Sequence, residues 1–169
     1  PVEDALELCL KHDIRGVELG SNHRFERLPE TKIEKSPDLS YLVHNYFPPA
    51  EEDLVVNIAS LDDKTRESSI EHIRRCIDFS RQIGAQLHNF HPGFLSDPLG
   101  KSENSSNYDF RFEEFSSEGR KYEDAFTQML ESVTTIAEYA RRKGVDIAIE
   151  TEGSVDKWDH LLMQRIDEF

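Results

Sequence analysis

The chain has 169 residues, of which 37% are hydrophobic, and a net charge of −14 at neutral pH. It contains no apolar run of about 20 residues, the length that a membrane-spanning helix needs, so we expect no membrane partner. The excess of carboxylates disfavours a nucleic-acid partner, because non-specific binding to phosphates depends on clustered Lys and Arg. Cys9 and Cys76 form no close pair and lie on apolar faces of predicted helices, which predicts reduced thiols in the core of a cytoplasmic protein.

The predicted elements alternate between helices and strands. Apolar residues recur at helical spacing in four segments, which are 2–12, 63–83, 120–143 and one that begins at 157. The short β-prone segments "IRGVELG", "SYLVHNYF", "AQLHNFH" and "VDIAIE" lie between them and predict four strands. Gly84 and Gly144 end two of the helices, as a C-terminal glycine commonly does. This order predicts an α/β fold with a parallel sheet in a single domain over residues 1–169.

One face of the predicted sheet carries polar residues at the ends of its strands. Because alternate residues of a strand point to opposite faces, the large apolar residues of "VDIAIE" share the face that helices would cover, and Glu150 lies on the other. The same alternation turns His88 towards the helix layer with Phe90. The residues that share the opposite face are Glu18, His44, His91 and Glu150. The histidines that fall on helices or loops, and that we expect to be solvated, are His12, His23, His72 and His160.

Two histidines and two carboxylates form a donor set typical of a divalent metal site. Imidazole nitrogen and carboxylate oxygen suit Zn²⁺, Mn²⁺ or Co²⁺. In a parallel sheet closed into a barrel, such side chains collect at the C-terminal ends of the strands. A carboxylate at Glu150, on so apolar a strand, is costly unless it is paired or bound to metal. The alternative interpretation of Glu150 is a buried ion pair with a Lys or Arg.

Four segments resemble, in order and context, the xylose-isomerase-like TIM-barrel superfamily, and these are "YLVHNYFPP", "VVNIAS", "LHNFHPGF" and "IAIETEGS". This superfamily holds sugar-phosphate isomerases and epimerases together with the endonuclease IV type of AP endonuclease. The resemblance implies that His44, His91 and Glu150 face a site for Zn²⁺, Mn²⁺, Co²⁺ or Mg²⁺, and that Glu18 stands at a position often acidic in the isomerases. It also implies a (β/α)8 TIM barrel, of which this chain covers about strands two to five.

The chain departs from the family pattern in two ways. Thr151, Glu152 and Gly153 follow Glu150 where relatives often carry asparagine. An eight-stranded barrel needs roughly 250 residues, so the first strand and the last three are absent and we expect half of the family's site. Four parallel strands with open edges would leave backbone groups unpaired. We therefore expect either the rest of the barrel or another copy of the chain, in a homo-oligomer, to complete the fold.

The leading functional prediction is a metal-dependent isomerase or epimerase of a sugar or sugar phosphate, which transfers a proton next to a carbonyl. In this prediction Glu150 binds metal and acts as the base. Glu18, His44 and His91 hold the substrate, and the two histidines also bind metal. The first alternative is an endonuclease IV-like phosphodiesterase on abasic DNA, against which the net charge counts. The second is a non-catalytic, incomplete barrel that serves as a binding or assembly module.

Overall fold

In a computed structural model of the protein, four parallel strands form one sheet whose spatial order follows the chain. The structure describes residues 2–20, 33, 35–50, 54–98, 112, 122–151 and 160–168. The strands are β1 (Gly16–Leu19), β2 (Ser40–His44), β3 (Leu87–Phe90) and β4 (Asp146–Ile149). The helices are α1 (Val2–Lys11), α2 (Asp63–Ile83) and α3 (Tyr122–Lys143), followed by a 3-10 turn at Ile166–Glu168. The predicted alternation of elements and the parallel sheet are confirmed.

Helix α2 begins and ends where the sequence predicts, because both of its ends are capped. At the start, the side chain of Asp62 accepts a hydrogen bond of 2.8 Å from the backbone N–H of Thr65, which satisfies one of the donors that a helix leaves open. At the end, Gly84 has a φ of 79° and donates its N–H to the carbonyl of Arg81. Only glycine adopts this left-handed conformation without a steric penalty.

Helices α2 and α3 pack together on one face of the sheet and form the larger core there. Its buried members include Ile73 and Ile77 of α2, Met129 and Ile136 of α3, and Phe90 of β3. At the outer rim of this layer, Tyr139 donates to Asp78 and Lys143 forms an ion pair with the same carboxylate. The opposite face of the sheet is less buried, since its side chains on β2 and β3 are only half-buried. The two faces therefore differ as the sequence alternation predicts.

The strands are shorter than the sequence predicts, which moves two candidate residues past the strand ends. Strand β2 ends at His44 because Asn45 has a φ of 43° and starts a turn. Strands β3 and β4 end at Phe90 and Ile149, so His91 and Glu150 each follow their strand by one residue. The hydrogen bond from the N–H of Glu150 to the carbonyl of Phe90 nevertheless extends the ladder by one residue.

The prediction of a helix beginning at 157 is wrong for the part of that segment that the structure describes. Residues 160–165 are not α-helical, and residues 152–159 lie outside the described part. Leu161 instead forms an antiparallel bridge with Phe94, and the carbonyl of His160 accepts from the N–H of Leu95. The backbone groups that a helix would use are therefore bonded to the loop after β3.

Two of the predictions about single side chains on helices need correction. His72 is 3% exposed rather than solvated, because it lies on the sheet-facing side of α2, where its Nε2 is 3.5 Å from Cys76 Sγ. Burial, aided by the positive charge of Arg75, lowers the pKa of His72 to about 4. Cys76 is in the core and burial raises its pKa, whereas Cys9 is only half-buried. Helix α1 therefore packs less deeply than its apolar spacing suggests.

The other helix and loop histidines have mixed environments. His12 is exposed as predicted, and His160 is half-buried. The ring of His160 is stacked on Phe112 at 4.2 Å between ring centroids, and His23 lies outside the described residues. Within the described ranges, no helix has the combined length and apolar character that crossing a membrane requires.

Candidate metal and substrate site

The four predicted site residues meet at the C-terminal end of the sheet. His44 Nδ1 lies 3.7 Å from Glu18 Oε1 and 3.5 Å from Glu150 Oε2. The ring of His91 meets the ring of His44 edge to face, with 5.2 Å between centroids. The alternation of side chains along four separate strands thus brings together the four residues that the sequence placed on one face.

Strand register explains why these residues meet. In the parallel sheet, His44 of β2 pairs with Asn89 of β3, and Asn89 pairs with Ala148 of β4. Glu18 of β1 lies beside Leu42, one pleat below His44 on the same face. Because side chains two residues apart share a face, the polar groups lie on three successive rows of that face, with Glu18 on the first, His44 and Asn89 on the second, and His91 and Glu150 on the third.

Asn89 lies at the centre of the site, and the sequence did not single it out. Its Nδ2 is 2.8 Å from Glu150 Oε2 and 3.4 Å from Glu18 Oε1. Its Oδ1 is 3.2 Å from His44 Nδ1. The available signal was its place on the same face as His91, two residues before it. Its amide carries no charge and does not titrate, so the sequence pattern alone does not distinguish it from a polar residue without a role.

His91 is oriented by the backbone of the neighbouring strand. Its Nδ1 is 2.9 Å from the backbone carbonyl oxygen of Glu150. A carbonyl oxygen only accepts hydrogen bonds, so Nδ1 carries the proton and the lone pair of the neutral ring lies on Nε2. A histidine that binds metal through one nitrogen commonly donates the other N–H to a carbonyl or carboxylate. The position of His91 is therefore compatible with metal binding through Nε2.

The donor atoms of Glu18, His44 and Glu150 all lie within 4.8 Å of one another, close enough to surround one cation. This group differs from the predicted trio of His44, His91 and Glu150 by the exchange of His91 for Glu18. Carboxylate oxygen and imidazole nitrogen are ligands that Zn²⁺, Mn²⁺ and Co²⁺ accept. The residues present therefore fit a divalent metal, with His91 as a further neighbour of the group.

The carboxylates of the site are open to water. This corrects the expectation that Glu150 is a buried carboxylate, which would be costly unless paired or bound to metal. The side chain of Glu150 is 51% exposed and that of Glu18 is 52% exposed, while His44 is 21% exposed. The partners of the Glu150 carboxylate are Asn89 and His44, and no Lys or Arg of the described ranges pairs with it. The alternative of a buried pair with a basic side chain is therefore wrong within those ranges.

The turn after His91 is held in place by residues 55–60, which follow strand β2. Gly93 has a φ of 99°, and a Cβ at this position would lie 2.5 Å from Asn57 Oδ1. That oxygen accepts hydrogen bonds from the N–H groups of Phe94 and Ala59, and Asn57 Nδ2 donates to Asp97. The "VVNIAS" segment thus holds the Pro92-Gly93 turn, and with it the chain that leaves His91.

Comparisons with known proteins identify the family to which this sequence is similar. A family model described as a xylose isomerase-like TIM barrel matches residues 6–168. The uncharacterized protein MJ1614 of Methanocaldococcus jannaschii is 25% identical over 157 residues, which are 92% of this chain and 51% of that protein. The chain thus spans about half the length of this curated relative.

Solved structures share the fold at low sequence identity. A structure of L-ribulose 3-epimerase has a TM-score of 0.55 and 14% identity, and the match covers 88% of this chain and 43% of that one. The TTHB071 protein of Thermus thermophilus, soaked with ZnCl₂, has a TM-score of 0.51 and 19% identity, with 86% and 50% of the two chains covered.

Proposed function

The chain belongs to the xylose isomerase-like TIM barrel family, and from this premise we propose that the whole protein is a metal-dependent isomerase or epimerase of a sugar or sugar phosphate. The observation that carries the proposal is the group of Glu18, His44 and Glu150 at the C-terminal end of the sheet, with His91 beside it. Catalytic groups of TIM barrels collect at this end. The likeness in fold to a protein named as a sugar epimerase supports the substrate class.

In this proposal Glu150, His44 and His91 hold the divalent ion, which is Zn²⁺, Mn²⁺, Co²⁺ or Mg²⁺, and Glu18 lies within reach of it. Such an ion, when bound, polarises a carbonyl oxygen of the substrate and so acidifies the adjacent C–H. Glu18, with half of its side chain in water, accepts hydrogen bonds from substrate hydroxyls. The N–H groups on Nδ1 of the two histidines stay bonded within the protein, which keeps both rings oriented.

Glu150 also supplies the base of the proposed reaction. Its Oε2 accepts from Asn89 at 2.8 Å, while the described residues give Oε1 no hydrogen-bond partner. Oε1 takes the proton from the carbon beside the carbonyl, this proton exchanges with water at the open carboxylate, and Oε1 returns a proton to the neighbouring carbon while the two oxygens exchange theirs through water, which completes an isomerisation. An epimerisation needs in addition a second acid, which protonates the original carbon on its opposite face. The exposure of this carboxylate lets a substrate reach it.

We also propose how the chain is organised and where it works. Residues 1–169 form a single partial barrel domain, which the remaining strands or another copy of the chain in a homo-oligomer complete. The protein acts in the cytoplasm on a small-molecule sugar or sugar phosphate. The net charge of −14 supports this class of partner over nucleic acid.

The experiment follows proton exchange directly. The whole protein, including the rest of its barrel, is stripped of metal with EDTA and reloaded with Mn²⁺, Co²⁺, Zn²⁺ or Mg²⁺. It is then incubated in D₂O with a panel of ketoses, aldoses and their phosphates. We expect NMR to show deuterium entering the carbon next to the carbonyl of at least one sugar, only after a metal is restored. Cleavage of an abasic-site oligonucleotide instead would favour the phosphodiesterase, and metal binding without either reaction would favour an assembly module.

A further inference from the structure

The side chain of Asn89 has one orientation that satisfies all of its neighbours. Carboxylates only accept hydrogen bonds, so Nδ2 must face Glu150 Oε2 at 2.8 Å and Glu18 Oε1 at 3.4 Å. This orientation turns Oδ1 to His44 Nδ1 at 3.2 Å. An amide oxygen only accepts as well, so His44 must carry its proton on Nδ1. The lone pair of the neutral ring then lies on Nε2.

We propose that Asn89 is a positioning residue, which fixes the Nδ1–H tautomer of His44 and holds the carboxylates of Glu18 and Glu150 on either side of it. The inference rests on the proposed function, because the groups that Asn89 orients are those assigned to metal and substrate. Asn89 acts through these neighbours and needs no contact with either ligand. His91 offers an independent parallel, since its Nδ1–H is held by the carbonyl of Glu150.

A comparison with Asn57 separates this role from a structural one. Asn57 is completely buried, and its Oδ1 accepts from the backbone N–H groups of Ala59 and Phe94. Asn57 therefore holds the main chain. The side chain of Asn89 is half-buried and, among the described residues, bonds to three titratable side chains and to no backbone group. The backbone of Asn89 is fixed without it, because its carbonyl accepts from Asn45 N and its strand pairs on both sides.

The test compares Asn89→Leu with a matched control, Leu87→Ala, in the full chain. Leucine has nearly the shape of asparagine but neither donates nor accepts, and Leu87 lies on the same strand and face without belonging to the site. We expect ¹⁵N NMR of the metal-free wild type to show His44 as the Nδ1–H tautomer. Asn89→Leu should lose this preference and raise the Kd for Mn²⁺ by about 10- to 100-fold, while Leu87→Ala changes neither.

The two readouts keep this proposal separate from the proposed function. A wild type that binds none of Mn²⁺, Co²⁺, Zn²⁺ and Mg²⁺ would contradict the metal-dependent function, yet the tautomer of His44 would still test Asn89. An Nε2–H tautomer in the metal-free wild type would overturn the role of Asn89, whether or not the leucine variant folds. A folded Asn89→Leu that keeps both the tautomer and an Mn²⁺ Kd within twofold of the control would overturn it as well.

Discussion

The two faces of strand β3 use histidine in opposite ways. His88 is completely buried, its Nδ1 bonds to the carbonyl of Val43, and its Nε2 has no hydrogen-bond partner among the described residues. Burial lowers its pKa to about 4, although the hydrogen bond to Val43 opposes this. His91, three residues later, also bonds through Nδ1 to a carbonyl but is only half-buried. Access to solvent, rather than residue type, separates the structural histidine from the candidate ligand.

The largest expected effect is on the open face and concerns Glu150→Gln. A neutral amide is a poor metal ligand and cannot act as a base at neutral pH. We expect a loss of about 1000-fold in kcat/KM, roughly 4 kcal/mol, together with the bound metal. The melting temperature of the metal-free protein should change little, because the carboxylate is half exposed.

Metal content by mass spectrometry and thermal melts, with Asp146→Asn as the control, check this prediction. Asp146 is an exposed carboxylate on β4 and shares a face with Glu150, which follows that strand by one residue. Retained metal with a large fall in melting temperature would show that Glu150 is a structural residue.

A paired substitution tests the comparison of the two histidines. His88→Ala leaves a cavity in the core and should lower the free energy of unfolding by about 3 kcal/mol, as other large-to-small core changes do. His91→Ala removes a half-exposed ring and should lower it by less than about 0.5 kcal/mol, while weakening Mn²⁺ binding. Urea unfolding and calorimetric titration measure the two quantities. Equal losses of stability in His88→Ala and His91→Ala would contradict the view that His88 is structural and His91 is not.

The pH dependence of stability should come from the helix-covered face. His72 and His88 have pKa values of about 4 in the folded protein, against a reference value of 6.5. Between these values the unfolded chain binds more protons, so stability falls as the pH falls through this window and levels off below pH 4. We expect a loss of about 2 kcal/mol per buried histidine at pH 5 relative to pH 7.

Urea midpoints at pH 7 and pH 5 measure this loss of stability. We expect His72→Gln to make the loss smaller, whereas the control His12→Gln, at an exposed position, should leave it unchanged. An unchanged pH dependence in His72→Gln would mean that this histidine is protonated in the folded protein at pH 5.

The smallest effect is expected from Glu18→Gln. Glu18 lies on the edge strand β1, is 52% exposed, and is farther from Asn89 than Glu150 is, at 3.4 Å against 2.8 Å. We expect the Kd for Mn²⁺ to rise by about tenfold, roughly 1.4 kcal/mol. Calorimetric titration beside Glu150→Gln provides the comparison. A loss as large as that of Glu150→Gln would make Glu18 an equal ligand.

Period-two alternation was enough to predict which residues meet. The parity of Glu18, His44, His91 and Glu150 along their strands follows from the sequence alone, and the "HPG" turn marks the end of β3. The same parity assigns His88 to the helix layer, where it is stacked on Phe90. The covered face is thus determined largely by local pattern.

Features that depend on tertiary partners could not be predicted in this way. His72 is buried because the sheet packs against its side of α2, and residues 160–165 are not helical because Leu161 bridges to Phe94. The exposure of Glu150 could not be predicted either, because the apolar residues of β4 indicate only that the helix-covered face is buried, and Glu150 lies on the other face. The role of Asn89 arises from three neighbours on other strands, none of which is near it in sequence.

The hydrogen bonds of Asn57 connect the site to the order in which the chain folds. Asn57 lies 37 residues before Phe94, whose N–H it accepts beside the Pro92-Gly93 turn. Such a non-local contact forms only after the loop between the two residues has closed, at an entropic cost that grows slowly with its length. The conformation that follows His91 therefore depends on both segments being in place, and a chain in which the loop between them is open would lack a complete site.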